Sequence, residues 1–96
     1  MTVKKQIIEL IKMYKQDKYT TNTFCSLLGE LYLFEMSGRQ YFEGTQRELM
    51  DELVNVTERY SSFEEDFKNY PGIYYNEIQV KNKFNEIYPR LNIMEQ

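Results

Sequence analysis

Residues 21–34 read TNTFCSLLGELYLF, and their last four residues, 31–34, are apolar on nearly every face of a helix. Such a helix is expected in the middle of a small bundle, where neighbouring helices cover it. Thr21 or Asn22 is suited to cap its beginning, because a short polar side chain accepts a hydrogen bond from a free helical N–H group. We predict that this central helix ends near Met36. Its predicted inward residues are Phe24, Leu27, Leu28, Leu31 and Phe34.

Amphipathic segments precede and follow the central helix. Residues 2–16 place apolar side chains at helical spacing, with lysine and glutamate on the opposite face. After Ser37 and Gly38 stop the central helix, a Thr-x-x-Glu capping box at Thr45 opens a third helix that runs to about Tyr60. The predicted inward residues are Val3, Ile7, Leu10, Ile11 and Tyr14 in the first helix, and Leu49, Leu53, Val56 and Tyr60 in the third.

The remaining pattern predicts a short helix, a turn and a last helix. A second capping box at Ser62 opens the short helix, which has to end before Pro71 because proline cannot continue it. Residues 70–75 contain a Pro-Gly pair and form a turn. Asn76 caps the last helix, and Pro89 should end or kink that helix at the preceding residue. Its predicted inward residues are Ile78, Val80, Phe84 and Ile87.

The number of helices sets the expected fold class. The chain has 96 residues, enough for one domain with one modest core, and it contains no internal repeat. Four main helices plus the short one predict an all-α fold, a small antiparallel helical bundle. The domain is expected to span residues 1–96, with a frayed tail to Gln96.

The apolar segments are too interrupted for a membrane partner. The longest stretch without a charge, residues 19–29, contains three Thr, an Asn and a Ser, whereas a membrane span needs about 20 apolar residues. Charges also divide the first residues of the chain, which leaves no unbroken hydrophobic region for a signal peptide. We expect a cytoplasmic protein.

The chain contains no histidine and one cysteine, Cys25. The missing histidine removes the commonest general base and metal ligand, and a single cysteine cannot form an intramolecular disulfide. Apolar and neutral neighbours favour a packing role for Cys25 over a nucleophilic one. Glu64 and Asp66 leave one enzymatic alternative, a metal-dependent site, although neighbouring helix positions point in different directions. We expect a protein that is not an enzyme and that uses no cofactor.

Charge is distributed unevenly along the sequence. Residues 1–42 contain six basic and four acidic side chains, whereas residues 43–96 contain six basic and eleven acidic ones. Nucleic-acid binders show the reverse, a dense basic face that releases counterions from phosphate. This composition disfavours direct binding of DNA or RNA.

Acidic and tyrosine side chains gather around the predicted turn. Carboxylates steer the encounter with a basic protein, and tyrosine supplies contact area with few rotatable bonds. The alternative is that the acids only keep the bundle soluble while the tyrosines pack beneath the turn. The candidate binding residues are Glu58, Glu64, Glu65, Asp66, Tyr70, Tyr74, Tyr75 and Glu77.

Residues 62–75 read SFEEDFKNYPGIYY, an aromatic residue and acids followed by Tyr-Pro-Gly-apolar-Tyr before the last helix. This run resembles bacterial self-protective immunity proteins of the colicin D immunity type. The resemblance implies a small helical bundle that binds and inhibits a cognate toxin, a nuclease domain that cleaves tRNA. It also implies toxin contacts by Glu64, Glu65 and Asp66, which lie inside the run.

Two hypotheses of function follow. The first is a bacteriocin-type immunity protein, which acts as the inhibitor in a toxin–antitoxin pair. It would mask the basic substrate-binding or active site of a tRNase. Because such a toxin holds phosphates with lysine and arginine, an acidic protein can occupy the same groove. The alternative is a small acidic helical adaptor or regulator that binds another basic protein.

Overall fold

The computed structural model describes residues 2–34 and 37–93. Within those residues the elements are α1 (Val3–Lys15), α2 (Thr21–Tyr32), a 3₁₀ helix (Gly38–Tyr41), α3 (Gly44–Thr57), α4 (Glu64–Asn69) and α5 (Glu77–Leu91). The prediction of an all-α bundle with four main helices and one short helix is confirmed. The 3₁₀ helix is an addition that the sequence pattern did not predict.

Helix α2 is central, as predicted. It packs against α1, α3, α5 and the 3₁₀ helix, and α3 in turn packs against α5. The cap is Thr20 rather than Thr21 or Asn22, and its hydroxyl accepts a 3.2 Å hydrogen bond from Thr23 N. Phe24 and Leu28 are fully buried at the middle of the bundle.

The end of α2 differs from the prediction. The helix ends at Tyr32, and Met36 lies outside the described residues. Phe34, predicted inward, is 60% exposed. The helical spacing that predicted Phe34 inward ends at Tyr32, whose ring is fully buried and whose hydroxyl donates a hydrogen bond to Asp51. The other predicted inward residues of this stretch, Leu27 and Leu31, are half-buried.

A polar cluster joins α2, the 3₁₀ helix and α3. Asp51 accepts hydrogen bonds from the Tyr32 hydroxyl at 2.7 Å and from Nε and Nη2 of Arg39 at 2.8 and 2.9 Å. The hydrogen bonds from Arg39, and then that from Tyr32, lower the pKa of Asp51 below its ordinary value. Burial and the neighbouring carboxylate raise the pKa of Tyr32, which stays a neutral donor.

Three aromatic rings join α1, α2 and α5. The rings of Tyr14 and Phe24 are stacked, with centroids 4.0 Å apart, and both meet Phe84 edge to face at 4.8 and 5.6 Å. The hydroxyls of Tyr14 and Thr21 are hydrogen-bonded at 2.8 Å, so the polar end of the buried tyrosine is satisfied.

The inward face of α1 is largely as predicted. Four of its predicted residues are buried in the core, Val3 is half-buried against it, and Ile8 is buried in addition. The buried residues shared by prediction and structure are Ile7, Leu10, Ile11 and Tyr14.

The predicted ends of α3 are wrong. Glu43 is the N-cap residue without a side-chain hydrogen bond, and Arg47 N bonds to its carbonyl, so Thr45 already lies inside the first turn. The helix ends at Thr57, because Tyr60 leaves the helical path to pair with Tyr75. Leu49, Leu53 and Val56 are buried as predicted, while Tyr60 is half-buried.

Helix α5 begins as predicted. Asn76 and Gln79 form a complete capping box, with hydrogen bonds of 2.8 and 2.9 Å. Ile78, predicted to face the core, is 69% exposed. It lies in the first turn, where no neighbouring helix covers its side of α5. The confirmed core residues of this helix are Val80, Phe84 and Ile87.

Pro89 does not end α5, which continues to Leu91. Proline has no backbone N–H, so the helix lacks one hydrogen bond at Pro89, and only two residues of α5 follow it. Buried Leu91 and Ile93 hold this turn against the core, and the Gln46 side chain donates a 3.0 Å hydrogen bond to the Leu91 carbonyl. The predicted frayed tail therefore does not include Ile93, and residues 94–96 lie outside the described residues.

Three alanine substitutions separate the core of α3 and α5 from the exposed start of α5. Leu53→Ala and Phe84→Ala should each lower the free energy of unfolding by about 2 to 5 kcal/mol, because both side chains are buried and leave cavities. Ile78→Ala should change it by less than about 0.5 kcal/mol. Urea unfolding followed by circular dichroism measures all three, and a large loss for Ile78→Ala would contradict the exposed position.

The Asp51 cluster should make stability depend on pH. The pKa of Asp51 is lower in the folded chain than in the unfolded chain, so its ionised carboxylate stabilises the fold above about pH 4. This stabilisation is lost as the pH falls through the folded-state pKa. Asp51→Asn should therefore be less stable than the native chain at pH 6, and this difference should shrink at pH 2. Urea midpoints at the two pH values measure the difference, and an equal gap at both would contradict the role of the ionised carboxylate.

Candidate functional site

The segment between α3 and α5 packs against the bundle only at its two ends. Its helix α4 has no buried residue and packs against none of the other described helices. The side chains of α4 are exposed, except Asp66 and Phe67, which are half-buried. A helix that buries so little depends for its order on the contacts at the two ends of the segment.

A parallel bridge ties the two ends of this segment together. Tyr75 N donates a 2.8 Å hydrogen bond to the Arg59 carbonyl, and Ser61 N donates a 3.0 Å hydrogen bond to the Tyr75 carbonyl. Tyr60 and Tyr75 are half-buried against the core. The bridge fixes where α4 starts relative to α5.

The start of α4 is stabilised by Ser61 rather than by the predicted box at Ser62. The Ser61 hydroxyl accepts a 3.1 Å hydrogen bond from Phe63 N and donates a short one to the Asp66 carboxylate. Pairing with Tyr75 holds Ser61 at this position, whereas Ser62 is exposed. Asp66, predicted to contact a partner, is half-buried and already engaged in this loop.

The Pro-Gly turn predicted for residues 70–75 is present. Ile73 N donates to the Tyr70 carbonyl at 3.2 Å, and Gly72 has a φ of +83°. A type II turn requires this positive φ at its third residue, where glycine is unstrained. The rings of Tyr70 and Tyr74 meet edge to face at 6.2 Å. Tyr70 is exposed, whereas Tyr74 is half-buried. The alternative that the tyrosines pack beneath the turn therefore does not hold for Tyr70.

Two predicted acidic residues lie in one cleft, between the starts of α4 and α5. Glu64 and Glu77 line this cleft, which has a volume of about 430 Å³. Burial raises the pKa of the Tyr60 hydroxyl, and the nearby Glu77 carboxylate raises it further. The other residues that line the cleft are Tyr60, Ser61, Ser62, Phe67 and Asn76.

The remaining acids are placed differently. Glu65 is exposed on α4 outside the cleft lining, and Glu58 lies at the end of α3 beside Gly29 of α2. Neither these two nor the two cleft acids form an ion pair with a described residue. By contrast, acids elsewhere in the second half of the chain pair with Arg39 or Lys83, namely Asp51, Glu52 and Glu86.

Exposed apolar side chains that the sequence pattern did not predict lie close to the acids along the chain. Phe63 is 70% exposed, and Ile73 and Ile78 are more than half exposed. Periodicity gave no signal for Phe63 and Ile73, which lie outside regular helix, and it placed Ile78 inward. We name the following exposed set the α4 surface: Phe63, Glu64, Glu65, Tyr70, Ile73, Glu77 and Ile78.

Cys25 is buried in the core, as predicted. Burial raises the pKa of its thiol to about 12, and the Glu58 carboxylate adds to the effect. The thiol is therefore protonated near neutral pH, which is the unreactive form.

Neither a candidate metal cluster nor a membrane helix is found in residues 2–34 and 37–93. No three acidic or cysteine side chains there are grouped so that they could hold a metal ion. No helix in the described part of the chain is long and apolar enough to cross a membrane.

Comparison of the chain with protein-family models, with curated proteins and with solved structures gave no match.

The Ser61 hydroxyl should control the order of α4. Ser61→Ala removes the hydrogen-bond acceptor of Phe63 N. The lost hydrogen bond should lower the free energy of local opening by about 1 kcal/mol, which speeds hydrogen exchange of that amide about fivefold. Ser62→Ala is the matched control, because Ser62 is the next residue in the chain and its side chain is exposed. Hydrogen exchange followed by NMR compares the two variants, and a larger effect of Ser62→Ala would favour the original capping box.

Proposed function

We propose that this chain is an immunity protein that binds a basic nuclease toxin and masks its substrate-binding or active site. The observation that carries the proposal is the α4 surface, which combines unpaired carboxylates with exposed apolar side chains on α4, on the Pro-Gly turn and on the first turn of α5. A chain with a modest core gains no folding stability from such exposure, whereas a protein interface uses it.

The charges of this surface suit a basic partner. Glu64, Glu65 and Glu77 form no ion pair with a described residue, so their field extends into solvent. Unneutralised carboxylates speed the encounter with a lysine-rich and arginine-rich surface. A nuclease that holds tRNA phosphates has such a surface at its active site.

The apolar members supply the contact area that charge alone lacks. Aromatic and aliphatic side chains at the centre of an interface contribute most of its binding energy once they are covered. Phe63, Tyr70 and Ile78 are the large side chains on this surface that solvent reaches most. Inhibition by masking needs this contact and no catalytic group.

The resemblance to immunity proteins of the colicin D type supports the same proposal. The run that carries it, residues 62–75, covers α4 and the Pro-Gly turn, and so supplies most of the α4 surface. Glu77, outside that run, lines the same cleft as Glu64.

The proposal is tested with the protein encoded next to this chain in its genome. Its C-terminal domain is expressed with and without this chain, and co-purification and tRNA cleavage are measured. A tight complex that silences cleavage supports immunity. A complex with a basic protein that cleaves no RNA would favour the adaptor or regulator, and absence of a complex with a tRNA-cleaving neighbour would contradict the proposal.

Neutralising the cleft acids should slow association with that domain. The double variant Glu64→Gln with Glu77→Gln removes two unpaired charges without changing side-chain size, and we expect the association rate at low salt to fall about tenfold. Stopped-flow fluorescence measures the rate.

The matched control is Glu9→Gln with Glu43→Gln, which removes the same net charge from exposed positions outside the α4 surface. Its association rate should fall less than threefold, because only distant charges are lost. Equal slowing by the two double variants would show that net charge, and not the α4 surface, directs the encounter.

A further inference from the structure

A second groove lies between α2 and α3, where α2 ends. Its volume is about 350 Å³. Leu33 and Val54 are the apolar residues that line it, and Asn55 and Glu58 are among the polar ones. The remaining residues that line it are Tyr32 and Asp51.

Glu58 lies directly against the backbone of α2. A Cβ atom at Gly29 would overlap Oε1 of Glu58. Because glycine has no side chain, residue 29 leaves room for the Glu58 carboxylate. The ring of Phe34 approaches the same point, with Cε2 3.7 Å from that Cβ position. The carboxylate is thereby placed beside an aromatic ring at the edge of the groove.

The two carboxylates that line the groove differ in their partners. Asp51 is bound by Arg39 and by the Tyr32 hydroxyl. Glu58 forms no ion pair with a described residue. The groove therefore has one unneutralised negative charge beside apolar walls.

Exposed apolar side chains lie at the groove and beside it: Leu33 lines it, and Phe34 is the next residue in the chain. Leu33 is 42% exposed and Phe34 60%. Together with the single carboxylate, these side chains match a ligand group that has an aliphatic stem and a cationic, planar end. Arginine has this form, and its guanidinium binds carboxylates in a planar fork and stacks on aromatic rings.

We propose that this groove binds one arginine side chain of the protein partner. The stem lies on Leu33, the guanidinium stacks on Phe34, and its N–H groups donate to Glu58 and to the Asn55 carbonyl oxygen. The inference rests on the proposed function in taking the partner to be a basic protein, but the groove lies outside the α4 surface and adds a second anchor point.

The test uses a small probe, N-acetyl-arginine methylamide, and its neutral analogue N-acetyl-citrulline methylamide. NMR titration of the native chain should give saturable shifts at Gly29, Leu33 and Asn55 with the arginine probe, with a dissociation constant of about 1 to 10 mM. The citrulline probe should bind at least threefold more weakly. Equal affinities for the two probes would overturn the proposal.

Two variants locate the contacts. Glu58→Gln should weaken the arginine probe at least threefold, and Leu33→Ser should weaken it while the carboxylate is retained. Glu43→Gln, an exposed acid at the opposite end of α3, is the control and should leave the affinity unchanged. Unchanged binding in Glu58→Gln, or an equal affinity for N-acetyl-lysine methylamide, would overturn the arginine assignment.

This test can fail separately from the proposed function, because the probe contains no toxin. Nuclease silencing without binding of the arginine probe would overturn the groove and leave immunity supported. Saturable arginine binding without a complex with the neighbouring nuclease would support the groove and contradict immunity.

Discussion

The bundle depends on the contact among the rings of Tyr14, Phe24 and Phe84. No Cα atoms of α1 and α5 lie within 8 Å of each other, so backbone packing does not join these two helices. The rings span the gap, and the edge of Phe84 meets the stacked pair from the α5 side. Large aromatic side chains bury much area at a small cost in rotamer freedom, which suits a chain with a modest core.

Polar groups inside the bundle are satisfied at the points where helices meet. The described residues contain no buried side-chain nitrogen or oxygen without a hydrogen-bond partner. The hydroxyls of Thr21 and Tyr14 are hydrogen-bonded to each other, and the Asp51 carboxylate accepts a hydrogen bond from the Tyr32 hydroxyl. The Gln46 side chain donates to the Leu91 carbonyl at the end of α5. These contacts fix helix ends as well as helix faces, because an unsatisfied buried donor or acceptor costs more than a typical hydrogen bond gains. The α4 segment is thereby attached to a framework with defined ends.

The local pattern predicted most of the fold and the general character of the candidate site. Helical spacing identified the inward face of α1, and the Asn76 capping box was readable because both of its partners lie within one turn. The surplus of negative charge in residues 43–96 and the Pro-Gly turn also follow from the sequence alone. Each of these features depends on residues that are close along the chain.

The placement of Ile78, Phe34 and Ser61 was decided by the tertiary structure. Periodicity shows which residues share a helix face, but the neighbouring helices determine how much of that face is covered, and they leave Ile78 and Phe34 in solvent. Ser61 replaces Ser62 at α4 because a residue distant in sequence, Tyr75, pairs with it. The same holds for Asp51 and Glu52, whose ion pairs with Arg39 and Lys83 join different elements, whereas the pair of Lys83 with Glu86 lies within one turn of α5.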